Sequence, residues 1–247
     1  MTRSRRGSTP WIVTVLGGDP VAYRDAFLAL VVAVVASLVA GITLATTTDT
    51  LEELPGLLLL VPAALAVKGN IFGALGSRLG TSIHTGQFQL STRLDTVVGQ
   101  NTAAALVLSL ALSVELALLA KGIAIVFDVS PTMSTVDFIT VSAVGGAIAS
   151  LVVLAITLVL AGGSVRYGWD LDNVVAPLVT ATGDVITLPA LVWAAALTGR
   201  GGVSASIAVV VSVLSVLAVA WALRTDRRIL RTVMRESLPI LTLAGIL

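Results

Sequence analysis

The sequence predicts an all-α polytopic membrane protein, and three observations carry this prediction. Hydrophobic residues fill 56% of the 247 positions, charged residues fill 12%, and the mean hydropathy is +1.01, well above the balance usual in soluble domains. The apolar residues form six long stretches, each close to the roughly 20 residues that a helix needs to cross the hydrocarbon layer. The alternating short strands of a membrane β-barrel are missing from the pattern.

Composition also excludes several classes of function. Lys and Arg total 15 against 14 Asp and Glu, and cysteine is absent, which argues against a nucleic-acid-binding protein, a disordered chain and a disulfide scaffold. The single histidine, His84, is predicted in a cytoplasmic segment, so a serine protease or zinc site inside the membrane lacks its residues. We therefore expect no enzyme and no cofactor, with the lipid bilayer as the surroundings.

The six predicted spans follow one another along the chain. The first begins after Arg24 and Asp25 and is wholly apolar, the third and fourth are bounded by acidic and basic residues, and the sixth ends before Arg224. The spans cover residues 26–46, 57–79, 97–127, 138–162, 174–197 and 203–223. This organisation predicts a tail with an interfacial lead-in (1–25), a five-helix cation-transport unit (26–198) and a connecting sixth helix with a possible second start (199–247).

The distribution of basic residues predicts the orientation, because short loops rich in Lys and Arg stay in the cytoplasm. Twelve of the fifteen basic residues fall on one side of the predicted topology, while the opposite loops are acidic. We therefore expect a multi-pass protein of the plasma membrane with a cytoplasmic N-terminus.

A short internal similarity suggests that a second unit begins near the end of the chain. Residues 23–30 and 234–241 share the order apolar, Arg, acid, small, bulky apolar, any, any, Leu. Because six helices return the chain to the cytoplasm, a second unit would start in the same orientation as the first. The alternative is that residues 238–247 form only an interfacial tail.

The fifth span carries polar residues along one helix face. Steps of four, three, four and three join the members of this face, Asn173, Pro177, Thr180, Asp184 and Thr187. A charged carboxylate at mid-membrane costs roughly 2.5–3.5 kcal/mol on insertion scales, so Asp184 needs a partner, water or an ion. The face predicts a hydrated cation path; a protonated packing residue is the alternative.

The second span combines a glycine face with an adjoining polar stripe. The glycines lie four, three and four residues apart, which lets another backbone approach closely, and they are Gly69, Gly73, Gly76 and Gly80. The polar stripe consists of Asn70, Ser77 and Thr81, and we expect it to face the same cavity as Asp184. A tight packing seam without solute contact is the alternative.

Lys68 is a deeply placed positive charge beside this proposed cation path. Glu115 in the third span is the best candidate to neutralise it, since an acid is needed nearby. An outward-snorkelling Lys68 is the alternative.

Two segments resemble a known family. Residues 61–70, continuing through 76–79, are similar to the signature of solute carrier family 41, and residues 172–177 with 182–188 are similar to that family's matching helix. Both segments also resemble the membrane domain of the MgtE magnesium channel.

The resemblance implies a five-helix unit that pairs with a second unit about a two-fold axis, with a divalent-cation pore between them and Mg²⁺ as the transported ion. It implies that Asp184 holds the hydrated ion, that Asn70 lines the pore, and that Asn173 and Pro177 lie at the entrance of the fifth helix. The partner is then a second copy of the chain or a second repeat. Since about 25 residues precede the first predicted span, we expect no cytosolic magnesium-sensing domain of the kind that MgtE carries. The sixth helix and the apparent second start resemble duplicated members of the solute carrier family, so channel and exchanger remain alternatives.

Oxygen ligands suit this ion. Mg²⁺ prefers octahedral oxygen coordination and keeps its waters, so carboxylates and threonine hydroxyls contacting the hydration shell fit, which adds Thr180 and Thr187 to the candidate metal residues. A competing hypothesis is a non-conducting membrane subunit or assembly partner whose polar stripes serve only helix packing.

Overall fold

The computed structural model describes residues 20–47, 54, 56–130, 132–168, 171–199 and 202–246, excluding the side chains of 20–23, 25–26, 172–173, 176 and 244–246. The described chain is all-helical. Its helices are α1 (Pro20–Thr46), α2 (Leu57–His84), α3 (Val97–Val126), α4 (Thr135–Tyr167), α5 (Leu171–Ala195), α6 (Gly202–Arg224) and α7 (Arg228–Ile246).

Six of these helices, α1 to α6, are long and apolar enough to cross a membrane, which confirms the predicted multi-pass architecture. Several helices extend past the predicted spans; α2 continues from Leu79 to His84. Extension is expected, because a helix does not end where the hydrocarbon layer ends, and polar residues can continue it toward water.

Local sequence signals set several helix ends. Ser134 caps α4: its hydroxyl accepts a hydrogen bond from the Asp137 backbone N–H (3.1 Å) and donates to the Asp137 carboxylate (2.7 Å). Gly168 ends α4 in the left-handed region at φ 71°, where glycine has no steric penalty. Thr96 caps α3 by accepting from the Gly99 N–H at 3.0 Å.

Helix α5 packs against α1, α2 and α4. The close approach of α4 and α5 depends on Gly145, where a Cβ atom would lie 2.9 Å from the Leu191 Cα atom. Phe72 and Phe138 are the largest fully buried side chains of the core. By contrast, α1 and α6 expose most of their apolar residues, as helices facing lipid or another membrane unit do.

The C-terminal helix α7 runs beside α3. The Gln100 side-chain oxygen accepts from the backbone N–H groups of Ile229 (3.1 Å) and Leu230 (3.4 Å), while Thr242 donates to the Glu115 carboxylate at 2.9 Å. The two contacts are separated by about 20 Å along each helix, at about 1.5 Å per residue. Because the earlier residues of α3 meet the earlier residues of α7, the two helices run in the same direction. The structure shows a helix packed on α3 in this segment; the interfacial tail and the start of a second repeat both stay predictions.

Candidate functional site: a polar groove between α2 and α5

An open groove of about 380 Å³ lies between the middle portions of α2 and α5. Helix α5 contributes Thr180 and Asp184, and α2 contributes Leu65, Ala66, Gly69, Asn70, Gly73 and Ala74. The structure thus brings together Asn70, Thr180 and Asp184, which lie more than 100 residues apart in sequence on either side of α3 and α4. Their role as metal ligands remains a prediction.

Glycines on α2 determine how closely α5 approaches. A Cβ atom at Gly69 would lie 3.4 Å from Thr180 Cγ2, whereas a Cβ atom at Gly76 would overlap Val175 Cγ1. At Gly73 nothing lies within 4 Å, so this glycine leaves open space instead of a contact. Of the four glycines of the predicted face, Gly69 and Gly76 are therefore packing positions, and Gly73 widens the groove.

The Asp184 side chain is half-buried, while the Asn70 and Thr180 side chains are exposed on the surface of this single chain. Within the part of the chain that the structure describes, the Asp184 carboxylate has no hydrogen-bond or ion-pair partner. An acidic group near the middle of a membrane helix needs compensation, and the groove gives water or an ion access to it. The arrangement can present one carboxylate, one amide and one hydroxyl to a cation.

The predicted pore-lining residues outside the groove lie toward the C-terminal end of α2 and the N-terminal end of α5. Ser77 and Thr81 are exposed on α2, and the Thr81 hydroxyl donates to the Ser77 carbonyl at 3.1 Å. Pro177 is half-buried on α5, one turn before Thr180. Asn173 falls in the first turn of α5, but its side chain lies outside the described residues.

Thr187 does not belong to the groove. Its side chain is completely buried and its hydroxyl has no hydrogen-bond partner in the structure. Beyond Asp184, α5 buries Leu188 and Leu191 as well, so this end of the helix packs into the unit. Helical spacing correctly places Thr187 near the face of Thr180. Neighbouring helices cover that face at Thr187 but leave it open at Thr180.

The predicted Lys68–Glu115 pair is also wrong, and so is the outward-snorkelling alternative. Lys68 is only 2% exposed, and its ammonium group donates to the Ser109 hydroxyl and to the Ser150 hydroxyl, the latter at 2.6 Å. Glu115 instead accepts the hydrogen bond from Thr242. Two serines on different helices satisfy donors of the lysine without a counter-ion.

The serine cluster around Lys68, formed by Ser109, Ser113 and Ser150, was not predicted from the sequence. A usable signal existed, because Ser109 and Ser113 lie four residues apart on α3, and Gly146 and Ser150 lie four apart on α4. Such small polar residues repeated on one face of an apolar span indicate helix contacts with hydrogen bonds between the helices.

Comparison with known proteins identifies the family. The family model of MgtE, described as a divalent cation transporter, matches residues 61–194, more than half of the chain, and so includes both walls of the groove. Solute carrier family 41 member 2 of Xenopus laevis is 30% identical over 146 residues, which cover 59% of this chain and 26% of that protein. Solute carrier family 41 member 3 of Mus musculus is 28% identical over 141 residues, or 57% of this chain and 29% of that protein.

The matched region is under a third of the length of these curated relatives. No solved structure matches the chain. The resemblance of residues 61–70 and 182–188 to solute carrier family 41 and MgtE is confirmed by the family match and by these relatives. The chain therefore belongs to the MgtE family of divalent cation transporters.

Proposed function

We propose that the chain transports a divalent cation, with Mg²⁺ as the substrate, along the groove between α2 and α5. The observation that carries this proposal is the meeting of Asn70, Thr180 and Asp184 in one open groove near the middle of both helices. The family match supports divalent-cation transport in general, and the side chains of the groove support the choice of ion.

The chemistry of these side chains favours a hard cation. Carboxylate, amide and hydroxyl oxygens are the ligands that Mg²⁺ accepts, directly or through its tightly held waters. Among the described residues, no three His, Cys, Asp or Glu side chains come together, so the proposed site uses one carboxylate from each unit and water for the rest. Few protein ligands keep binding weak enough for the ion to leave.

We propose that a second five-helix unit, from a second copy of the chain or from a second repeat, completes the pore. Asn70 and Thr180 are exposed in the single unit, so the open side of the groove can face such a partner. Two units would place two Asp184 carboxylates around one axial ion and match its charge of two. On this proposal, the protein lies in the plasma membrane with its N-terminus in the cytoplasm, as the basic loops predict.

The test is Mg²⁺ flux into liposomes containing the purified full chain. Asp184→Asn should abolish flux, because it removes the carboxylate while keeping nearly the same volume. Asp226→Asn is the matched control, since Asp226 is exposed between α6 and α7 and far from the groove in sequence and topology. Wild-type flux from a folded Asp184→Asn variant would remove Asp184 from the mechanism.

The alternative, a non-conducting membrane subunit with structural polar residues, predicts a different response to the ion. Mg²⁺ should raise the unfolding temperature of a transporter through a site that depends on Asp184, because a ligand that binds the native state stabilises it. A subunit without such a site should show the same unfolding temperature with and without Mg²⁺.

A further inference from the structure

Lys68 is the buried titratable side chain that the proposed transport mechanism leaves unexplained. Its ammonium group contacts Ser109 of α3 and Ser150 of α4, and no carboxylate of the described residues forms a salt bridge with it. Burial of a charge in a low-dielectric interior is costly unless an opposite charge compensates it. The two serine hydroxyls accept hydrogen bonds from the Lys68 nitrogen but supply no opposite charge.

The serine cluster around Lys68 is itself fixed by further hydrogen bonds. The Ser109 and Ser150 hydroxyls bond to each other, the Ser150 hydroxyl donates to the Gly146 carbonyl at 2.5 Å, and the Ser113 hydroxyl donates to the Ser109 carbonyl at 2.7 Å. A Cβ atom at Gly146 would lie 3.4 Å from the Lys68 Nζ atom, so there is little room beside the ammonium group. The Lys68 Nζ atom is therefore held in place behind the groove.

The geometry of α2 relates this charge to the groove. At about 100° per residue, the groove-lining positions of α2 centre on one side of the helix and Lys68 lies nearly opposite them. The Lys68 ammonium group and the groove are then separated by roughly one helix diameter, about 10 Å. Helix α2 itself lies between them, so their interaction is screened less than an interaction between two solvent-exposed charges.

Two acidic side chains lie in the middle portions of the described membrane helices. Glu115 accepts its hydrogen bond from Thr242, six residues (about 9 Å) further along α3 than Ser109. Asp184 faces the groove without a partner. Of the two, only Asp184 lies where a transported cation would bind. A positive charge on Lys68 and a bound cation would therefore both interact with the Asp184 carboxylate.

We propose that Lys68 carries a positive charge behind the groove and that this charge lowers the affinity of the groove for the divalent cation. This inference rests on the proposed function. With the groove empty, Lys68 offsets the charge of Asp184; with a cation present, it repels the cation and favours release. Rapid transport requires a site that attracts an ion without trapping it.

The experiment measures the apparent Kd of Mg²⁺ from the unfolding temperature of the purified full chain. Lys68→Met, which keeps an unbranched side chain one atom shorter but removes the amine, should lower the Kd about tenfold, equivalent to about 1.4 kcal/mol. Ser109→Ala is the matched control: it removes one hydrogen-bond acceptor of Lys68, keeps the charge, and should leave the Kd within about twofold of the wild-type value.

A second variant keeps the test usable where Lys68→Met fails to fold. Ser109→Asp places a carboxylate against the retained ammonium group and so neutralises the local charge. It should therefore lower the Kd of Mg²⁺, as Lys68→Met does. An unchanged Kd in both charge-removing variants overturns the inference. Equal shifts in Lys68→Met and Ser109→Ala also overturn it, because packing and not charge would then be responsible.

Asp184→Asn separates failure of this inference from failure of the proposed function. If wild-type protein shows no Mg²⁺ response that depends on Asp184, the proposed function fails and the inference falls with it. If that response is present but identical in the variants of Lys68 and Ser109, only the inference is wrong.

Discussion

Gly76 is predicted to be the position on α2 where a single methyl group is most harmful. Its missing Cβ atom would overlap Val175 Cγ1 and lie 3.2 Å from Val175 Cβ, and the Val175 side chain is 2% exposed, with little space to move into. Overpacking of this kind typically costs 1–3 kcal/mol. We therefore expect Gly76→Ala to lower the free energy of unfolding by about 2 kcal/mol.

A double-mutant cycle identifies the cause. Val175→Ala removes the overlapping methyl groups and alone should cost on the order of 1–2 kcal/mol through lost packing. If overlap is the reason for the loss, the Gly76→Ala/Val175→Ala double variant should be more stable than the sum of the two single losses, by about 1–2 kcal/mol. The measurement is reversible unfolding in mixed detergent, followed by fluorescence of the four tryptophans.

The matched control is Gly73→Ala, one turn earlier on the same helix. A Cβ atom at Gly73 meets nothing within 4 Å, so this substitution should leave the unfolding free energy unchanged or slightly higher, because alanine favours helix more than glycine does. Equal destabilisation by Gly73→Ala and Gly76→Ala, or additive losses in the cycle, would refute the packing argument.

Three further predictions concern α7, the groove and α4. Gln100→Ala should destabilise the start of α7 by about 1 kcal/mol and speed amide exchange at 229–232, since it removes the acceptor for Ile229 and Leu230. Gln100→Glu keeps an acceptor oxygen and should not have this effect. Equal exchange in both variants would contradict the capping role of Gln100. Thr242→Val should lengthen the distance between spin labels on α3 and α7, attached to cysteines introduced into this cysteine-free chain. An unchanged distance would mean that the hydrogen bond to Glu115 does not hold α7 against α3. Gly145→Leu should prevent folding because α5 backbone atoms lie against Gly145, and a soluble, monodisperse variant in detergent would show that this contact is dispensable.

The sequence was sufficient to predict which polar residues are candidates for the groove, but not which of them the neighbouring helices leave open. Asp184 stands out in the sequence because its cost in the bilayer is large, and Asn70 stands out beside a row of glycines in an apolar span. The same reasoning included Thr187, which is fully buried, because residues on one helix face look alike in sequence whether that face is covered or open. The spacing of polar residues shows which of them share a face of one helix, but not which parts of that face the neighbouring helices cover.

The sequence by itself determined the membrane class, the six spans and the position of the lone carboxylate in the fifth of them, since each depends on the hydropathy of a contiguous segment. Only the tertiary structure decided that Lys68 binds two serines and not Glu115, that α7 lies along α3, and that Asn70 and Asp184 border one groove. These contacts join residues from 41 to 130 positions apart in the chain. In a bilayer nearly every helix is apolar on most of its surface, so close packing and a few hydrogen bonds between helices, and not hydropathy, select which helices become neighbours.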